Sequence, residues 1–141
     1  MKSYFISALI FLSIIVLLTG NVFINNTLSD ETTREYNTAE PADTVGMTNT
    51  MKFDADTVRI EAEETVVWKN SSLLAHSVTA DPSESTIDGS AELPEGAEPF
   101  NSGMMDPEET FSHTFEVPGT YKYFCIPHEG ANMYGWIIVE E

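Results

Sequence analysis

The chain lacks most of the residues on which several common kinds of protein depend. One cysteine among 141 residues excludes both an intrachain disulfide and a multi-cysteine zinc site. Six lysines and arginines against 23 acidic residues give a formal net charge of −17, which argues against nucleic acid as a partner because its phosphates would repel the chain. Apolar residues (42%) and aromatic residues (11%) nevertheless suffice for a core, and the length suits one domain or two.

A long stretch near the N-terminus lacks charged residues. Residues 3–29 contain no Asp, Glu, Lys, Arg or His, and an apolar run over 4–24 follows Lys2. Twenty-one helical residues would span about 30 Å, the thickness of the hydrocarbon core of a membrane. Residues 1–24 therefore fit a membrane anchor or a cleaved signal peptide. Under both interpretations the rest of the chain lies outside the cytoplasm, anchored or secreted, and faces the periplasm or the cell exterior.

The next residues predict a linker and then an all-β domain. Residues 25–46 are polar and acidic with few large apolar side chains, which is typical of a flexible linker. From Met47 onward apolar and polar residues alternate in short runs rich in β-branched and aromatic residues, which predicts about seven strands in an antiparallel β-sandwich. The stretch 81–109 interrupts the pattern with nine acids and no base, so we expect a long surface excursion there.

Three potential metal ligands lie close together near the C-terminus. Cys125, His128 and Met133 fall within nine residues between two predicted strands, and His76 lies 49 residues before the cysteine. One thiolate, two imidazoles and a weak thioether form the ligand set of blue-copper electron-transfer sites. A lone thiol in an exported protein would be exposed to oxidation, a hazard that coordination to a metal removes. The remaining histidine, His113, is predicted to be structural.

On these residues the chain resembles the plastocyanin-like small blue copper proteins, which include the halocyanin type. The resemblance extends over about 51–139. It is carried by Phe53 and the runs EETVVWKN (63–70), HSV (76–78), FNSG (100–103), ETFSHTF (109–115), PGTY (118–121) and CIPHEGANM (125–133). It implies a Greek-key, cupredoxin-like β-sandwich over 47–141, with one copper ion held by His76, Cys125, His128 and Met133.

Two positions depart from the family pattern. Many relatives have asparagine directly after the first histidine, where it ties the two ligand segments together, whereas this chain has Ser77. The serine hydroxyl is expected to make a similar bond with a shorter reach. Relatives often have glycine just before the methionine, whereas this chain has Asn132, which tolerates left-handed backbone nearly as well as any non-glycine residue.

The resemblance also implies a function. We expect a monomeric electron carrier that shuttles between larger redox proteins, and the acidic excursion suits partners with a basic docking face. Leu73 and Leu74 are candidates for an apolar docking patch around His128. Copper storage or delivery is the alternative. A copper enzyme is not expected, because it would need further histidines and an open coordination position, and the chain has only three histidines.

Overall fold

The computed structural model describes residues 40–141. The predicted anchor or signal segment, 1–24, and the linker up to residue 39 lie outside the described residues. No helix within 40–141 has the length and apolar character needed to cross a membrane.

The described residues form two β-sheets and almost no helix. The strands are β1 (Asp43–Met47), β2 (Thr57–Glu61), β3 (Thr65–Asn70), β4 (Thr79–Ala80), β5 (Phe100–Asn101), β6 (Thr110–Thr114), β7 (Gly119–Phe124) and β8 (Tyr134–Glu140). Short 3₁₀ segments occur at Pro82–Glu84 and Ile126–Ala131. One sheet has the order β1-β3-β6 and the other β2-β8-β7-β4-β5. The predicted all-β sandwich is confirmed.

The predicted strand directions are partly wrong. β1 runs parallel to β3 and β2 runs parallel to β8, whereas the other neighbours are antiparallel. Alternation along a strand reports which side chains face the core, but it carries no information about the direction of the neighbouring strand. Parallel neighbours are joined through intervening chain, and here β1 reaches β3 only after β2 has been placed in the other sheet.

The first strand begins earlier than the predicted boundary. β1 starts at Asp43, inside the segment 25–46 that was predicted to be linker. Val45 and Met47 are fully buried and alternate with less buried neighbours, so the strand pattern is present but short. The polar residues that precede it obscured the pattern, because two apolar residues are too few to define a period.

The core lies between the sheets around one tryptophan. Trp68 of β3 is fully buried, and its ring centroid lies 5.4 Å from that of Tyr123 on β7 and 5.9 Å from that of Phe111 on β6. Phe100 and Phe115 pack at 6.1 and 6.3 Å. Edge and tilted contacts of this kind add about 0.5–1.5 kcal/mol each to the stabilisation from burial. The aromatic alternation in the sequence therefore builds the rigid body that carries the loops at one end.

Candidate metal centre

The last loop folds back on itself as it leaves β7. Cys125 follows the end of β7, and two 3₁₀ turns over Ile126–Ala131 meet at a kink at His128, where φ is −120° and ψ is 19°. The amide of His128 donates to the carbonyl of Cys125 (3.0 Å), and the amide of Cys125 donates to the carbonyl of Met133 (3.1 Å). Asn132 closes the loop with φ 58° and ψ 43°, so the left-handed backbone expected there is confirmed.

The second segment brings His76 to the same end of the sandwich. His76 lies just before the short strand β4 and exchanges two main-chain hydrogen bonds with Met105, of 3.1 and 2.7 Å. The preceding loop is organised by Asn70, whose buried amide donates to the carbonyls of Leu74 (2.8 Å) and Met105 (2.9 Å). The run 76–80 is buried throughout, so neither face of this segment is exposed to solvent.

Three of the four predicted ligands converge. Sγ of Cys125 lies 3.5 Å from Nδ1 of His76 and 3.3 Å from Nδ1 of His128, and the two Nδ1 atoms lie 3.1 Å apart. Cys125 and His76 are fully buried, whereas His128 is half-buried. Within residues 40–141 this is the one cluster of three residues with His, Cys or acidic ligand atoms in reach of a common ion.

Met133, the fourth predicted ligand, lies at the end of the ligand loop. Its side chain is fully buried at the end of the ligand loop, and its main chain is tied to Cys125 and His128. Its role as the fourth ligand stays a prediction. The burial is consistent with that role, since a thioether that coordinates a metal is withdrawn from water.

The donor geometry fits a metal ion. Tetrahedral bonds of about 2.0 Å to nitrogen and about 2.3 Å to sulfur separate the donor atoms by about 3.3–3.5 Å. The three observed distances, 3.1–3.5 Å, fall close to this range. One sulfur and two imidazoles favour copper, zinc or a similar metal over Mg²⁺ and Ca²⁺, which prefer oxygen ligands.

Burial sets the proton affinities of the donors. It lowers the pKa of His76, and the nearby His128 lowers it further, whereas the Thr48 main chain acts in the opposite direction. Burial raises the pKa of the Cys125 thiol, although hydrogen bonds from Ser77 and His128 oppose that change. The metal-free site therefore favours a neutral thiol and neutral His76, and a metal that binds as the thiolate complex must displace a proton.

Ser77 joins the two ligand segments as its position predicted. Its amide donates to Sγ of Cys125 at 3.2 Å, and its hydroxyl accepts a 2.8 Å hydrogen bond from the amide of Ile126. The expected bond between segments is therefore confirmed. An amide donor to the cysteine sulfur withdraws electron density from it, which is a recognised means of adjusting a metal–thiolate centre.

Two residues important to this end of the molecule were missed by sequence reasoning. Asn70 was missed although asparagine followed by serines at a strand end is typical of side chains that bond their own loop. Glu129 is 5% exposed and accepts hydrogen bonds from Ser85 and Thr86. Burial acts to raise the pKa of Glu129, but these bonds outweigh it and lower the pKa to about 2. No sequence signal distinguishes Glu129 from the other 22 acids.

His113 is absent from the cluster. It lies on β6, half-buried, with its ring stacked 4.2 Å from Phe100 and edge-on to Phe115 at 4.8 Å. The structure thus places it in an aromatic stack, in agreement with the predicted structural role.

Known proteins resemble the same part of the chain. The family described as "copper binding proteins, plastocyanin/azurin family" matches residues 40–140. The chain is 38% identical to a plastocyanin of Scenedesmus fuscus over 88 residues, and the alignment covers 62% of this chain and 86% of that protein. It is 33% identical to a chloroplastic plastocyanin of Pisum sativum over 89 residues, and this alignment covers 63% of this chain and 52% of that protein.

Solved structures agree with the sequence comparisons. A reduced Cu(I) form of an amicyanin mutant superposes with a TM-score of 0.55 at 29% identity, over 72% of this chain and 85% of that one. An oxidized amicyanin mutant gives 0.55 at 28% identity, over 70% and 82%. The cupredoxin-like sandwich implied by the resemblance is confirmed.

Proposed function

Because the chain belongs to the plastocyanin/azurin family of copper-binding proteins and its cofactor is copper, we propose that it is a blue copper electron carrier. We propose His76, Cys125, His128 and Met133 as the ligands. Bound copper supplies a one-electron couple between Cu(II) and Cu(I). The convergence of Sγ and two Nδ1 atoms from two chain segments, all within 4.8 Å of one another, is the observation that carries this proposal.

The residues around the ligands support a centre that moves little between oxidation states. The bonds of Ser77 to both Cys125 and Ile126 connect the two segments directly, and the bonds between His76 and Met105 fix the first. A ligand set held on rigid, mutually bonded segments needs little rearrangement when its charge changes. Slow, large rearrangements would oppose electron transfer, so this rigidity favours a carrier.

The half-buried His128 provides the route to a partner. Leu73 is 83% exposed and Leu74 39% exposed in the loop that leads to His76. We propose that these leucines border His128 in a docking patch and that the redox partners are proteins with a basic docking face, since the chain carries net charge −17. The carrier acts as a monomer, and the N-terminal segment places it outside the cytoplasmic membrane.

An electron carrier and a copper enzyme make different demands on the chain. An enzyme keeps a coordination position open for its substrate. Here the four proposed ligands fill the site, and the remaining histidine is stacked on Phe100. We therefore propose that the chain has no enzymatic activity of its own.

The proposal is tested by adding Cu(II) to the purified full chain. We expect an intense blue colour that a reductant bleaches and an oxidant restores. Cys125→Ser should abolish the colour, because the charge-transfer band requires the thiolate. Met133→Leu should keep the copper and change its potential, whereas Met104→Leu, at a methionine 56% exposed, should leave both unchanged. A colourless wild-type protein would contradict the proposal.

Storage or delivery is separated from electron transfer by retention of the metal. The reduced protein is incubated with a Cu(I) chelator and then reoxidised. An electron carrier should recover its full blue absorbance over repeated cycles. A delivery protein would lose copper to the chelator at each reduction.

A further inference from the structure

Glu129 follows His128 directly in the ligand loop, and its carboxylate is fully engaged. Oε1 accepts from the hydroxyl of Ser85 (2.6 Å) and the amide of Ile87 (3.2 Å). Oε2 accepts from the amide (3.1 Å) and the hydroxyl (2.6 Å) of Thr86. Four hydrogen bonds from three consecutive residues of the acidic excursion thus end on one side chain that is 5% exposed.

The Glu129 carboxylate accepts hydrogen bonds, but within residues 40–141 it forms no ion pair with a basic side chain. The ion pairs within residues 40–141 are Arg59–Glu140 and Lys69–Glu108, and both are solvent-exposed. Its donors are hydroxyls and amides, which leave the net charge in place. A charge in a poorly solvated position acts on its surroundings more strongly than one in water.

The main chain of Glu129 is fixed as well. Its carbonyl accepts from the amide of Asn132 (3.0 Å) and the hydroxyl of Tyr134 (3.2 Å). The residue is therefore held from the excursion through its side chain and from the start of β8 through its carbonyl. Both the side chain and the main chain of the residue that follows His128 are therefore fixed.

From this geometry we propose that Glu129 is a positioning residue of the copper centre: it anchors the Ser85–Ile87 segment to the ligand loop and holds, one residue along the chain from His128, a negative charge that favours the oxidised metal. This inference rests on the proposed function, because it concerns the balance between two oxidation states of the same site. The sign follows from charge alone, since a nearby negative charge stabilises Cu(II) relative to Cu(I).

The effect of the charge is measured by the midpoint potential of the copper-loaded protein. Glu129→Gln should raise the potential, making reduction by a one-electron reference couple about tenfold more favourable, which corresponds to about 59 mV. Glu84→Gln is the matched control, because it removes an equal charge from an exposed position in the same excursion. Glu129→Asp retains the charge and should stay close to the wild-type potential.

The anchor is measured without copper. In the metal-free protein, amide hydrogen exchange at Thr86 and Ile87 should be slow in the wild type, and at least one of the two amides should exchange at least tenfold faster in Glu129→Gln, because the glutamine NH2 presents a donor where one of them needs an acceptor. Glu84→Gln should leave both rates unchanged. Equal exchange rates in wild type and Glu129→Gln would overturn the anchor.

The outcomes distinguish this inference from the proposed function. A wild-type protein without a reversible one-electron signal contradicts the electron carrier itself. A normal wild-type signal, with Glu129→Gln shifted no more than Glu84→Gln, leaves the carrier intact and overturns the role of the charge. A shift in Glu129→Asp as large as that in Glu129→Gln also overturns it, because the charge would then not be the cause.

Discussion

Two connections between strands, the ligand loop (125–133) and the acidic excursion (81–109), differ in almost every respect except that both lie mostly outside the sheets. The ligand loop has nine residues and contains three of the four proposed ligands. The excursion has 29 residues, nine of them acidic, and contains none. Both connections contain main-chain hydrogen bonds of their own, and both are also bonded to other parts of the fold, the ligand loop to Ser77 and the excursion to His76 and Lys122.

The long connection nevertheless supports the metal centre. Met105, near its end, exchanges main-chain hydrogen bonds with His76, and Glu92 exchanges a pair with Lys122 of β7. Phe100 contributes its ring to the core around Trp68. The ligands thus come from short stretches of chain, and the positions of those ligands depend on longer chain that carries no ligand.

The largest effect is expected from substituting two histidines, one inside the ligand cluster and one outside it. His76→Ala should eliminate the blue absorbance, because it removes one of three strong donors. His113→Phe should retain it, because His113 packs against Phe100 and lies outside the cluster. Absorbance after Cu(II) addition measures both, and melting of the metal-free proteins confirms that each is folded. A blue His76→Ala protein would show that the cluster is not the copper site.

A smaller effect is expected from two serines, one in each kind of environment. Ser77→Ala leaves the amide of Ile126 without its 2.8 Å acceptor in a poorly hydrated position, and should lower the free energy of unfolding by about 1–3 kcal/mol. Ser83→Ala, in the exposed 3₁₀ turn of the excursion, should cost no more than about 0.5 kcal/mol. Urea unfolding of the metal-free proteins measures both. Equal losses of stability in the two variants would mean that the hydrogen bond between Ser77 and Ile126 does not stabilise the fold.

The residue types that converge at this end of the sandwich were easier to predict from the sequence than the topology, for a physical reason. Coordination chemistry restricts which residue types can hold copper, so Cys125, His128 and a partner such as His76 are informative even without neighbours. Burial of Val58, Ile60, Val66 and Trp68 followed from alternation in the same way. The parallel pairing of β1 with β3 did not, because strand direction depends on contacts distant in the chain.

The supporting residues were the hardest to predict. Ser77 was identified because a resemblance pointed to its position, whereas Glu129 is one acid among 23 and has no local signature. Its importance arises from hydroxyls and amides about 43 residues away that meet it only in the folded chain. Long-range hydrogen bonds of this kind leave no periodic trace in a sequence.

Two glycines are expected to respond in opposite directions. Gly96 of the excursion has φ +89°, so Gly96→Ala should destabilise the fold by about 1–2 kcal/mol. Gly130 of the ligand loop is exposed, and a Cβ there would meet no atom within 4 Å. Gly130→Ala should therefore stabilise by about 0.4–1 kcal/mol, through the lower entropy of the unfolded chain. Thermal melting of the metal-free proteins measures both, and destabilisation by Gly130→Ala would indicate that the loop needs glycine for another reason.

The smallest effect concerns the pH dependence of the aromatic stack that joins the excursion to β6. Burial lowers the pKa of His113 from 6.5, although Glu116 opposes the change. Below pH 6.5 the unfolded chain takes up this proton before the folded chain does, so stability falls as the pH falls through 6.5 towards the folded pKa and is fully present above it. His113→Phe keeps the ring on Phe100 and removes the titration, so its free energy of unfolding should fall less than that of the wild type between about pH 7.5 and about pH 5.5. Urea unfolding of the metal-free proteins at the two pH values measures the difference, and His76 contributes equally to both proteins. Equal pH dependence in the two proteins would place the His113 ring in water and would remove the stack as a contact that orders the excursion.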